Sequence, residues 1–183
     1  RFARMHAHFM AARLSALAKL MKLGFRKDAW TLALVLSGVE PRDSPVLASA
    51  LAQNNVDPVN VVEETHHCVL NSRVTVAFDD CEHVHLCGTN NPQVDAYFNV
   101  AMADGRPPCT VFLQYKHSSS PREGQLWVSE MNDVYDELSR KLQGKTQRQF
   151  LLVFVTNRKI RGIPATGKPS WVAVDAESAE AAG

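Results

Sequence analysis

Residues 94–100 read Val94-Asp95-Ala96-Tyr97-Phe98-Asn99-Val100, and residues 110–117 read Thr110-Val111-Phe112-Leu113-Gln114-Tyr115-Lys116-His117. Between them lies Asp104-Gly105-Arg106-Pro107-Pro108, a turn composition. Two apolar runs around a turn read as neighbouring strands of a hairpin. Asp95 stands near the start of the first strand. Gln114 and Lys116, two apart on the second, project from one face, among Val111, Phe112, Leu113 and Tyr115, which favour burial. An acid, a neutral oxygen donor and a lysine on one hairpin fit metal-assisted phosphodiester cleavage. Mg²⁺ takes oxygen ligands and keeps several waters. Asp95 and the Gln114 carbonyl would supply two ligands and the Tyr115 backbone carbonyl a third. Lys116 would hold the attacking water or steady the phosphate. The same three residues also fit a strand cap followed by the wet face of a half-exposed strand.

Downstream, Ser120, Pro121 and Glu123 form a capping-box start for a helix whose apolar stripe is Trp127, Met131, Val134, Leu138 and Leu142, with Gly144 as its stop. Phe150 to Thr156 is a continuous apolar run, the pattern of a strand covered on both faces. Trp171 to Val174 reads as a weaker final strand. Upstream, Val74, Val76 and Phe78 alternate with Thr75 and Ala77 and predict a strand, and Val84 to Leu86 predicts another. Phe2, Met5, Phe9, Met10, Leu14, Leu17, Leu20 and Met21 recur at helical spacing up to Gly24. A second apolar stretch spans Trp30 to Leu36, and Pro45 to Gln53 reads as a short helix. The expected division is an N-terminal helical extension over 1–43, an α/β core over 44–175 and an Ala/Glu/Ser tail over 176–183.

The chain has 183 residues, of which 45% are hydrophobic and 21% charged, within the range of a globular domain with a real core. No run of 18 apolar residues exists, so a membrane span is not expected. The net charge of +1 does not announce a polyanionic partner, but its distribution is uneven. Residues 1–27 hold Arg1, Arg4, Arg13, Lys19, Lys22, Arg26 and Lys27 and no acid, whereas the remainder is net acidic. Four cysteines, Cys68, Cys81, Cys87 and Cys109, are too few for a disulfide framework and read as reduced thiols of an intracellular protein. The chain opens on Arg1 and is expected to be part of a longer protein.

The order of these elements and the placement of Asp95 and Gln114-Tyr115-Lys116 resemble the PD-(D/E)XK, or restriction-endonuclease-like, nuclease superfamily. Its core runs helix, three strands, helix, strand, with an acid on the second strand and (D/E)-x-Lys on the third. The likeness covers about residues 44–160, and the Gln-x-Lys form is similar to the nuclease-like domains of Crinkler effectors and retrotransposon hot spot proteins. It implies a restriction-endonuclease-like mixed sheet flanked by helices, with extra N-terminal helices. It also implies Mg²⁺ or Mn²⁺ on Asp95 and Gln114, cleavage of DNA with Lys116 beside the water, an accompanying NTPase module and action in a nucleus. Val94 stands where the superfamily has Pro. A Glu from the first helix is expected, yet no Glu precedes Glu40, so Glu64, beside Glu63, is the candidate. Without that acid the same fold would serve as a DNA- or protein-binding module.

If DNA is the partner, Arg4, Arg13 and Lys19 become phosphate contacts, joined by His117, Lys141, Lys145, Arg148, Arg158, Lys159 and Arg161; the same basic stripe also reads as a solvated helix face. Cys81, His83, His85 and Cys87 alternate along one segment and would share a strand face, with His66, His67 and Cys68 upstream. Their types suit zinc; the four positions spread over about 20 Å at ~3.3 Å per residue, so one ion could take two of them, with His66 or Cys68 to complete the set of a zinc-stabilised interaction domain. Semi-buried strand side chains are the alternative, and a Cys/His nucleophile pair has no orienting acid in the pattern.

Overall fold

The structure is a computed structural model and describes residues 2–25, 35–36, 59–60, 67–71, 76–88, 93–102, 105–117, 124–143, 149–162 and 171–175. Helix α1 spans Phe2–Lys22 and helix α2 spans Val128–Leu142. The strands are β1 Val59–Asn60, β2 His67–Asn71, β3 His83–Cys87, β4 Ala96–Met102, β5 Cys109–Lys116, β6 Gln125–Trp127, β7 Phe150–Thr156, β8 Lys159–Arg161 and β9 Trp171–Asp175.

The main sheet is mixed, in the order β2-β3-β4-β5-β7-β9, with β1 paired to the end of β4. Strands β3, β4 and β5 are antiparallel neighbours, whereas β7 runs parallel to β5 and to β9. The β4–β5 hairpin turns at Gly105, whose φ of 79° is the left-handed conformation that a residue with a Cβ rarely adopts. The parallel step from β5 to β7 requires a crossover, and β6 and α2 lie within it.

Each face of the sheet carries a helix. Ala7, Met10 and Leu14 of α1 pack in one cluster with Val84, Phe98, Val111, Leu113, Leu151 and Val153. Met131, Leu138 and Leu142 of α2 pack with Tyr97, Phe112, Leu152 and Phe154. Strand β7 therefore sends alternate residues into both clusters, which is why its sequence is apolar without a break. Burying each such side chain is worth about 1.5–3 kcal/mol. Helix α1, set apart above as an extension, covers one side of the sheet. The expected boundary at 43/44, the stretch from Trp30 to Leu34 and the helix from Pro45 to Gln53 fall outside the described residues.

Two expected elements differ. The strand over Val74–Phe78 is not formed where it is described: Phe78 and Asp79 make a turn, closed by Asp80 N–H donating to the Ala77 carbonyl at 3.2 Å. Side chains of β4 satisfy this loop in place of a ladder. Ala77 N–H donates to Tyr97 Oη at 3.0 Å, and Asn99 Nδ2 donates to the Ala77 and Asp80 carbonyls at 2.7 and 2.8 Å. The helix expected from Ser120 begins at Val128, after β6, and its capping acid is Glu130, which accepts the Trp127 N–H at 3.1 Å. Trp127, expected in the buried stripe, is 50% exposed. Ser120, Pro121 and Glu123 lie outside the described residues. Gly24 does end α1, at φ 75°, with Phe25 N–H returning to the Leu20 carbonyl.

Candidate functional site

The β4–β5 register ends where Ala96 pairs with Leu113, and Asp95 stands in a bend just before β4, against the Leu113–Tyr115 stretch of β5 that contains Gln114. Asp95 is half-buried. Its Oδ2 accepts the Tyr115 N–H at 2.7 Å, and its own N–H donates to the Leu113 carbonyl at 2.9 Å. Burial raises its carboxyl above the ordinary 3.8, against the lowering effect of the Tyr115 N–H and the Lys116 charge. Lys116 thus acts on Asp95 across the hairpin. Gln114 is 6% exposed, and its Oε1 is buried without a hydrogen-bond partner. A buried acceptor left so costs roughly 1–3 kcal/mol, and native interiors keep few of them.

Neighbouring elements hold this corner from two sides. Thr156, the last residue of β7, donates its hydroxyl to the Lys116 carbonyl at 2.8 Å and accepts the Arg158 N–H at 2.9 Å. Arg158 Nη2 reaches the His117 carbonyl at 3.4 Å, and Asn157 Nδ2 lies 3.3 Å from His117 Nε2. From the other side, buried Gln93 donates Nε2 to Glu137 Oε1 at 2.5 Å and accepts from Lys141 Nζ, which ties the entry to β4 to α2. Neither Gln93 nor Thr156 stands out in the sequence. Thr156 has a faint signal, a hydroxyl closing an otherwise apolar run.

The structure therefore brings Asp95 and Lys116 to the end of β5 that carries Gln114, whereas the His117 ring stacks on Phe2 of α1 at 4.7 Å and Arg158 reaches this end of the strand through the His117 carbonyl. Lys159 is exposed at the start of β8. Arg4 and Lys19 are exposed on α1, whereas Arg13 is engaged in the fold: its Nη1 donates to the Val35 and Leu36 carbonyls at 3.3 and 2.8 Å, and its guanidinium lies 4.6 Å over the Phe9 ring. Lys141 is held by Gln93 and lies 3.2 Å from Glu137 Oε1. Glu64, Lys145 and Arg148 lie outside the described residues.

His83 and His85 share a face, as alternation requires, but both turn to one acid. Asp80 accepts from His83 Nδ1 at 2.9 Å and His85 Nε2 at 2.8 Å. Burial opposes ionisation of Asp80, yet its bonds from His83, the Glu82 N–H and His85 hold its carboxyl below the ordinary range. His85 also stacks on Tyr97 at 4.5 Å between ring centroids. Among the described residues no group of three or more His, Cys, Asp and Glu is arranged to hold a metal ion. Cys87 packs against the α2-side cluster, and burial pushes the Cys109 thiol up to about 12, which leaves it inert as a nucleophile.

No family model, no curated protein and no solved structure matches the chain. Among the described residues no helix is long and apolar enough to cross a membrane.

Proposed function

We propose that the chain is a metal-dependent DNA endonuclease domain of the PD-(D/E)XK kind, related in style to the nuclease-like domains of Crinkler effectors. The observation that carries this reading is the orphaned, buried Gln114 Oε1, next in sequence to Tyr115, whose N–H the Asp95 carboxylate accepts, with the Lys116 charge acting on Asp95. A carboxylate and an amide carbonyl are the oxygen donors a hard divalent ion prefers, so Asp95 and Gln114 fit Mg²⁺ or Mn²⁺. When bound, that ion supplies Lewis-acid polarisation and a more acidic water. Lys116 brings its ammonium to the same corner, where it steadies charge that develops on the phosphate. The element order supports the reading too. With β1, β2 and β6 as additions, helix α1, the antiparallel strands β3, β4 and β5, helix α2 and the parallel strand β7 come in an order compatible with the superfamily's, with Asp95 just before the second of these strands and Gln114 and Lys116 on the third. The further roles that follow from the likeness are action in a nucleus and an NTPase module as partner.

A second reading is a degenerate nuclease fold that binds DNA or protein without cutting. It is favoured by the sequence of α1, which carries no Glu where the superfamily's first helix supplies one. Plasmid nicking in Mg²⁺ separates the two. Native protein is expected to convert supercoiled plasmid to open circles, and Asp95→Ala and Lys116→Ala to lose about a hundredfold or more of that rate. Binding without nicking selects the second reading. Equal nicking by native and both variants removes the site from either.

A further inference from the structure

The small sheet formed by β6 and β8 has one face in the core and one in water. Leu126 is 1% exposed, and Ile160 packs against the α2-side cluster. The opposite face carries Gln125, Trp127, Lys159 and Arg161, all exposed. The parallel register sets Gln125 beside Lys159 and Trp127 beside Arg161, so an indole, an amide and two cations form one outward patch. Glu130, the acid nearest in sequence to Trp127, accepts the Trp127 N–H at the start of α2. The patch is continuous with the candidate site. Strand β8 follows directly on Arg158, which is bonded to Thr156 and to the His117 carbonyl. Gly124, just before β6, lies flush against Arg158: a Cβ there would sit 3.0 Å from Arg158 Cγ. Along the backbone, Lys116 pairs with Thr156 at the end of β7, and Arg158, Lys159 and Arg161 follow from there to the register position of the exposed indole.

We infer that this outward face docks a single-stranded, or locally unpaired, segment of nucleic acid. Trp127 offers an exposed ring on which an unstacked base can lie, while Lys159 and Arg161 meet the flanking phosphates. The face of a base is hidden in a duplex and open in a single strand, so an exposed indole selects the latter, and a pair of neighbouring cations supplies the backbone contact. The inference rests on the nuclease reading only for the polymer's identity and adds the form in which it is held.

The test is fluorescence anisotropy of a labelled oligo-dT and of a duplex of equal length. The full chain is used in EDTA, so that cleavage plays no part. Native protein is expected to prefer the single strand. Trp127→Ala should weaken single-strand binding about tenfold or more and duplex binding by no more than about twofold, while Trp127→Phe keeps most of the affinity. The double variant Lys159→Ala, Arg161→Ala should reduce the slope of log K against log salt by roughly 1.4. Single-strand binding unchanged by Trp127→Ala, equal loss on both probes, or no binding of oligo-dT by native protein would overturn the inference. Absence of plasmid nicking together with a Trp127-dependent single-strand preference would leave it standing and remove only the nuclease reading.

Discussion

Burial opposes the charge on Asp95, and this sets a pH signature. Its folded pKa is raised above the ordinary carboxylate value, chiefly by burial. For such a group the fold's advantage is complete below the unfolded pKa and is lost as pH rises through the folded one. Asp95→Asn keeps an oxygen for the Tyr115 N–H and removes the charge. The variant should match native in thermal midpoint near pH 3 and equal or exceed it at pH 7, while losing nicking. A lower midpoint at pH 7 would show that the ionised carboxylate stabilises the fold. Asp95, Gln114 and Lys116 were legible in the sequence because strand alternation alone puts the last two on one face and the hairpin brings the first across. Gln93 and Thr156 were not, because their roles depend on α2 and β7 arriving from elsewhere in the chain. Trp127 was misplaced for a different reason. Helical spacing continues through it, but the Glu130 bond to its N–H starts the helix one residue later and leaves its ring in water.

At the scale of elements, the start of α1 is latched to the end of β5. His6 Nδ1 lies 2.8 Å from Tyr115 Oη, and Phe2 stacks on His117 at 4.7 Å between centroids. Burial, aided by the Arg13 charge, lowers the His6 pKa to about 4. A lowered folded pKa means that this ring contributes stability above the unfolded value of 6.5, and that the contribution is lost as pH falls toward 4. His6→Phe should therefore flatten the fall in urea-unfolding free energy between those two pH values, by roughly 1–2 kcal/mol after allowance for solvent screening of a half-buried ring. An unchanged slope would show that the ring titrates normally in the fold. Strands β3, β4, β5 and β7 were readable from period-two or unbroken apolar runs, and α1 from its spacing and Gly24. Residues 76–80 defeated the same rule. Val76 and Phe78 alternate as a strand would, yet Asn99 and Tyr97 satisfy the loop backbone in its stead, and a side chain from another strand leaves no local trace.

For the molecule as a whole, the sheet between two helices is a platform that carries one polar corner. The strands β5 and β7 end there, β4 begins there, and the basic residues that follow lead from it onto β8. What the fold contributes to the proposed chemistry is rigidity: Asp95 and Gln114 are fixed by a hairpin whose other residues fill both apolar clusters. The proposed divalent cation would sit at this corner. Calorimetric titration of Mn²⁺ into native protein, Asp95→Asn and Gln114→Leu tests it most directly. One site is expected on the native chain, weakened about tenfold or more in each variant. Equal Mn²⁺ affinity in all three proteins, or no binding to any, would contradict it.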